Sequence, residues 1–183
     1  MDAVSLIKEI LRFWFVECEE KHWWVKDPEF DTMVRERFGD LVVEAAAGKL
    51  DHWAESAEGA RALIILLDQF TRNIYRGSAK AFEADEKARA IAKSAIAKGF
   101  DAGLNKHEKN FIYLPFEHSE DLGDQEECCR LIAAAGSEGY LKFAHAHKAI
   151  IERFGRFPHR NATLGRANTP EEDEYLSEPG AGF

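Results

Sequence analysis

The sequence predicts an all-α protein, and two observations predict this class. Apolar residues recur at steps of three and four along most of the chain, the period at which side chains share one face of a helix. No stretch shows the sustained alternation rich in Val, Ile and Thr that is typical of a half-buried strand. The length of 183 residues suits one compact domain, so we predict a single helical domain over residues 1–183.

Start and stop signals divide the chain into helices joined mostly by short links, so neighbouring helices are expected to pack antiparallel. Asp27-Pro28 is an N-cap followed by proline, and Thr169 to Glu172 form a capping box that begins a short last helix. Pro115 is expected to break or restart its helix. The predicted helices cover residues 4–14, 28–47, 56–70, 79–98 with Ser78 as cap, 105–113, from 119 or 121 to 135, 138–154, and a short segment from 170.

Charge and composition limit the classes of binding partner and the cellular location that we expect. The net charge of −9 argues against general affinity for nucleic acid or acidic membranes. Residues 142–168 nevertheless hold six Lys or Arg and one acid, a local charge of +5. The amphipathic N-terminal segment differs from a signal peptide, and no apolar run approaches the roughly 20 residues of a membrane span. No C-x-x-C motif occurs. We therefore predict a cytoplasmic protein with no membrane partner.

The first candidate site follows the most hydrophobic helix. If that helix continues, Asp68, Arg72 and Arg76 share one face at four-residue steps. An acid that orients one arginine while both arginines bind an anion is the functional interpretation. The structural alternative is a set of ion pairs at a helix end, where arginines also complement the helix dipole.

The second candidate site lies after Pro115. His118 is followed by Glu120 and Asp121, and a carboxylate beside an imidazole fixes its tautomer and raises its basicity. These three residues are the predicted catalytic acid–base group, with a structural ion pair as the alternative. No spaced ligand set such as H-E-x-x-H occurs, so we predict no metal, and the absence of a nucleotide-binding glycine loop gives no cofactor.

The third candidate site is the most distinctive, because several guanidinium groups occur among Gly and Pro residues. Such a loop can present them to phosphate or carboxylate groups, although the arginines can equally pair with the surplus acids of the chain. His145 and His147 cannot point the same way on one helix, and His147 follows the helical step toward the loop. The predicted ligand-binding residues are Arg72, Arg76, His147, Arg153, Arg156, His159, Arg160 and Asn161.

Two further groups favour burial over chemistry. The aromatic strings Phe13–Phe15 and Trp23-Trp24 could form a ligand platform, but aromatic residues at helical spacing are typical of a core. Cys128 and Cys129 lie in a predicted helix beside apolar residues, which favours buried thiols over nucleophiles.

Together these strings resemble the bacterial domain of unknown function 924 family over nearly the full length. The resemblance is carried by residues 10–15, 23–31, 63–77, 113–121, 153–161 and 164–166. It implies a tetratricopeptide-like stack of antiparallel helices and brings no established activity. The chain departs from the family pattern at Thr71, where a proline that would end the helix is expected.

Two functional hypotheses follow. In the first, the protein is a binding module that holds an anionic small molecule or an acidic peptide in a concavity lined by arginine and histidine. In the second, it is an enzyme that acts on a phosphate- or carboxylate-bearing substrate, with His118 moving a proton while arginines neutralise developing charge. A third possibility is that the polar clusters only hold helices together. The binding module is the favoured hypothesis, because the sequence supplies no obvious nucleophile.

Overall fold

The structure of the protein is a computed structural model that describes residues 2–182. Helices and turns account for these residues, and no β-strand occurs among them. The predicted all-α class is therefore confirmed. The finer prediction, a tetratricopeptide-like stack of antiparallel helices, stays a prediction.

The helices follow one another in the order that the sequence periodicity predicts. The α-helices are α1 (Ala3–Arg12), α2 (Glu20–Trp24), α3 (Pro28–Ala46), α4 (Ala57–Ile64), α5 (Thr71–Ile74), α6 (Asp85–Ala97), α7 (Lys106–Glu117), α8 (Leu122–Ala134), α9 (Glu138–Phe154) and α10 (Pro170–Leu176). Two π-helical segments, Phe13–Glu17 and Ile65–Phe70, continue α1 and α4. Short 3-10 turns cover Asp51–Glu55, Ala79–Ala81 and Pro158–Arg160.

The chain divides into two compact units. The first comprises the residues up to Arg76 together with Lys80–Pro115, and the second comprises Gly77–Ala79 with the residues from Phe116 onward. The boundary falls inside α7, between Pro115 and Phe116. That the chain forms a single domain over residues 1–183 stays a prediction.

The first unit is built around the segment Ala57–Ile74, which contains almost all of the central helix that the sequence predicts over residues 56–70. Ala62 to Leu67 and Phe70 are at most 1% exposed, so every face of this segment is covered. Aromatic rings complete the core, and Phe13, Phe38 and Phe70 contact one another at centroid distances of 4.9–6.0 Å. The prediction of a buried aromatic core is confirmed for Phe13 and Trp14, whereas Trp24 is 47% exposed.

In the second unit α8 packs against α9, and the loop after α9 contacts α9 through the rings of Phe157 and His147. Asp121 begins α8 by accepting the Asp124 N–H at 3.0 Å, as the sequence predicts. The Thr169 capping box begins α10, also as predicted. Cys128 is fully buried and Cys129 nearly so, which confirms the prediction of buried thiols, and burial raises the pKa of both.

Two predicted helix boundaries are wrong. Ser78 does not begin the alanine-rich helix, because a 3-10 turn intervenes and α6 starts at Asp85. Pro115 does not break its helix, since α7 runs through it to Glu117. Phe111, Leu114 and Phe116 are at most 3% exposed, so burial on both sides of the proline offsets the missing N–H.

Candidate functional site

The first predicted arginine pair lies in the first unit, where each guanidinium contacts carboxylates. Arg72 donates to both carboxylate oxygens of Asp85 at 2.8 Å, and its Nη1 lies 3.3 Å from Asp68 Oδ1. The Asp68 contact is the i,i+4 pair that the sequence predicts, and it forms because the helix continues through Thr71. The Thr71 hydroxyl donates to the carbonyl of Leu67, a bond that a proline could not make.

Arg76 has a different acid partner from Arg72. Its Nε and Nη2 donate to the two oxygens of Asp31 at 2.6 and 2.8 Å, and Asn73 Nδ2 donates to the same carboxylate at 2.7 Å. Burial alone would raise the pKa of Asp31, but these bonds outweigh it and hold the pKa below its ordinary value. Arg72 and Arg76 are thus engaged in ion pairs that connect helices of the first unit.

The loop of the third candidate site lies in the second unit, and Glu172 holds one side of it. This carboxylate is 1% exposed and receives Arg156 at 2.6 and 2.7 Å, the Thr169 N–H at 2.7 Å and Asn161 Nδ2 at 3.2 Å. The Arg156 hydrogen bonds lower the pKa of Glu172 to about 2. Arg156 and Asn161 therefore fix the loop on the first turn of α10.

Glu120 holds the other side of the same loop. It receives Arg166 through two bonds of 2.7 and 2.9 Å and the Phe157 N–H at 2.8 Å. Arg166 also donates to Asn161 Oδ1 at 2.8 Å, so the two anchoring networks share Asn161. Burial raises the pKa of Glu120, but the bonds from Arg166 and Phe157 outweigh it and keep the pKa below its usual range.

Between these anchors, basic side chains collect around one buried ring. We call His118, His147, His159, Arg160 and Phe157 the Phe157 cluster. The Phe157 ring is fully buried, and its centroid lies 5.7 Å from His147 and 5.6 Å from His159. The Arg160 guanidinium lies 4.4 Å from the same centroid and donates to the His118 carbonyl at 3.0 Å. The His118 and His147 rings are 6.4 Å apart.

His147 is the most deeply buried imidazole of the Phe157 cluster. Its Nδ1 lies 2.9 Å from the carbonyl of Phe143 and 3.4 Å from Glu117 Oε1. A carbonyl only accepts, so Nδ1 carries the proton and Nε2 holds the lone pair. Burial lowers the pKa of His147 to about 3, and the charge of Arg160 contributes in the same direction. The same two causes lower the pKa of His159 to about 4.

The remaining predicted site residues have other contacts. Asp121 caps α8 and is exposed. Arg153 lies over the rings of Phe154 and Tyr175, at 4.6 and 6.0 Å. His145 is exposed and contacts the Cys129 sulfur, so the expectation that it points away from His147 is confirmed. Within residues 2–182, no three His, Cys, Asp or Glu side chains converge to hold a metal ion.

A groove of about 400 Å³ lies in the first unit. It is mainly apolar and is lined by Val42, Val43, Ala46, Ala47, Thr71, Tyr75, Lys80, Glu83, Ala84 and Lys87. None of the predicted site residues lines it. In the described part of the chain, no helix is both long and apolar enough to cross a bilayer.

Comparisons with known proteins identify the family. A family model described as a bacterial protein of unknown function, DUF924, matches residues 10–180. The chain belongs to the DUF924 family. It is also similar to a solved structure of a protein of unknown function from Agrobacterium tumefaciens, with 44% identity and a TM-score of 0.92 over 97% of this chain and 100% of that one. No curated protein matches.

Membership of DUF924 confirms the resemblance and leaves the activity open, since neither description names one. The geometry also identifies residues that the sequence prediction missed in this DUF924 chain. Glu117 and Glu172 each have a central place, yet neither is among the predicted site residues. The sequence signal for Glu117 is its position directly before His118, and the structure shows that Glu117 is buried at the end of α7.

Proposed function

We propose that the second unit binds a small molecule that carries a phosphate or carboxylate group, and that the Phe157 cluster is its site. The observation that carries this proposal is the convergence of three separate stretches. The end of α7, the middle of α9 and the loop at Phe157–Arg160 contribute His118, His147, His159 and Arg160 to one place.

The charge of Arg160 gives this place its preference for anions. A guanidinium stays protonated at any working pH, and Arg160 is only 7% exposed, so its field is weakly screened. That field helps to lower the pKa of His147, His159 and Glu120. An anion next to Arg160 would receive a charge-assisted hydrogen bond, and it would also favour protonation of the imidazoles beside it.

The other predicted ligand-binding arginines have different roles in this proposal. Arg156 fixes the loop through Glu172, and Arg72 and Arg76 form ion pairs in the first unit. Arg153 is exposed and could contact an extended part of a ligand. Because the Phe157 cluster is mainly buried, a small molecule fits it better than an acidic peptide, which needs an extended open surface.

Acid–base catalysis is the second candidate function, and the Glu117–His147 contact at 3.4 Å favours it. A carboxylate and a carbonyl on Nδ1 orient the ring, and Nε2 is the nitrogen that would have to accept a proton from a substrate. Glu120 and Asp121, the carboxylates predicted for this role, are engaged with Arg166 and with the start of α8. Binding is the stronger candidate, because an imidazole with a pKa near 3 is a weak base at neutral pH.

Calorimetric titration with inorganic phosphate and with acetate at pH 7 tests the proposed site. We expect wild-type protein to bind at least one of them, and Arg160→Gln to raise its Kd about ten- to a hundredfold, because a hydrogen bond to a charged group contributes about 1.5–3 kcal/mol. Arg130→Gln is the control, since Arg130 pairs with Glu127 on the exposed side of α8.

Thermal unfolding of each variant establishes that it is folded before its binding is compared. Arg160→Lys retains the positive charge and provides a second variant if Arg160→Gln does not fold. Absence of binding by the wild type, or equal binding by folded Arg160→Gln, would contradict the proposed site.

A further inference from the structure

The last described residues form a tight turn after α10. Ala181 N–H donates to the carbonyl of Glu178 at 3.1 Å, which closes a four-residue turn over Glu178–Ala181. Pro179 occupies the second position, and Gly180 occupies the third with φ +82°. Proline followed by a residue with positive φ is the signature of a type II turn. The local sequence therefore specifies that the chain reverses here.

The turn brings Gly182 directly against a member of the Phe157 cluster. A Cβ atom added to Gly182 would lie 2.9 Å from His159 Cβ, and the φ of +85° is one that other residues rarely adopt. The Gly182 N–H donates to the Tyr175 hydroxyl at 3.2 Å, and the Tyr175 ring packs on Phe154 at 5.2 Å. Glycine is thus required at position 182 for this close approach to His159.

We propose that residues 177–182 form a strap that covers His159 and has to move away before an anion can enter the Phe157 cluster. This proposal rests on the proposed function, because the ligand that the strap excludes is the anion proposed there. The position of the strap rests on independent contacts, namely the Gly182 approach and the Tyr175 hydrogen bond. His159 is the member of the cluster that meets the strap, and its ring lies 5.6 Å from Phe157.

A closed strap lowers the apparent affinity for the ligand. When only a fraction of the molecules is competent to bind, the apparent Kd equals the intrinsic Kd divided by that fraction. Any change that loosens the strap without replacing a residue of the Phe157 cluster should therefore tighten binding. Gly182→Ala forces the backbone away from His159, whereas Tyr175→Phe removes one hydrogen bond and retains the ring contact with Phe154.

Two readouts on the full chain test the strap. The first is the Kd for inorganic phosphate, which we expect to fall about three- to tenfold in Gly182→Ala and in Tyr175→Phe. The second is the rate at which diethyl pyrocarbonate modifies His159, followed by peptide mass spectrometry, which we expect to rise by a similar factor. Gly103→Ala is the matched control, because Gly103 also has positive φ but faces open space in the first unit.

The two readouts separate failure of the strap from failure of the binding site. An unchanged His159 modification rate in Gly182→Ala and Tyr175→Phe overturns the strap, whatever phosphate does. If no variant binds phosphate or acetate but His159 reacts faster, the proposed binding function fails while the strap is supported as the cover of His159. Faster modification with an unchanged phosphate Kd overturns the role of the strap in ligand entry.

Discussion

Replacing Arg72 by methionine is expected to lower the free energy of unfolding by about 3–5 kcal/mol. Asp68 is fully buried and Arg72 is 19% exposed at the side chain, so the variant leaves a buried carboxylate without its guanidinium. The cost is large because a charge in the protein interior is poorly solvated once its counterion is lost. Urea unfolding of wild-type and variant protein measures the difference.

Arg130→Met is the matched control for this experiment. Arg130 and Glu127 form bonds of 2.6 and 2.7 Å, comparable to those of Arg72 with Asp85, but their side chains are 63% and 38% exposed. An exposed pair contributes about 0–1 kcal/mol, so the control should change little. Asp68→Asn combined with Arg72→Met should recover part of the loss, since Asp68→Asn removes the carboxylate charge that Arg72→Met leaves buried. A loss in Arg72→Met no larger than in the control would contradict the buried ion pair.

Acidification from pH 7 to pH 5 is expected to destabilise the protein strongly through two imidazoles. His147 and His159 have folded-state pKa values of about 3 and about 4, below the ordinary value of about 6.5 that the unfolded chain retains. Below pH 6.5 the unfolded state therefore binds protons that the folded state does not, and the free energy of unfolding falls. The contribution of His147 over this interval is on the order of 2 kcal/mol. That of His159 is smaller, because its side chain is only half-buried.

Urea unfolding at both pH values, in wild type and in His147→Gln, measures this effect. The variant should lose about 2 kcal/mol less than wild type between pH 7 and pH 5, whatever its stability at pH 7. His145→Gln, which replaces the exposed histidine two residues earlier on α9, should follow the wild type. Carboxylates such as Glu172, with a pKa of about 2, contribute mainly below this interval. Equal losses in wild type and His147→Gln would show that the folded protein does not exclude the proton from His147.

The sequence predicts the features of this fold that depend on interactions between residues close together in the chain. Helical periodicity identifies the all-α class, and the caps at Asp27, Asp121 and Thr169 begin α3, α8 and α10 where they are expected. Short-range chemistry decides these features, because a cap and its N–H donor lie within three residues of each other. The predicted helix break at Pro115 is wrong for the opposite reason, since burial of the surrounding residues overrides the local preference of proline against a helix interior.

The partners of the charged residues could not be read from the sequence. Arg76 pairs with Asp31 across 45 residues, and Arg166 pairs with Glu120 across 46. With 33 acidic residues in the chain, spacing alone does not select one partner for each arginine. The sequence nevertheless identifies four members of the Phe157 cluster from residue type and one helical step. The position of Phe157 at the centre of this cluster depends on the tertiary fold.

A crystal structure of the protein grown with tungstate, a phosphate analogue of high electron density, tests the central claim most directly. We expect an anion within hydrogen-bond distance of the Arg160 guanidinium and of at least one imidazole among His118, His147 and His159, with residues 177–182 displaced from His159. A Phe157 cluster that stays empty at saturating tungstate, while anions occupy only exposed side chains such as Arg153, would contradict it.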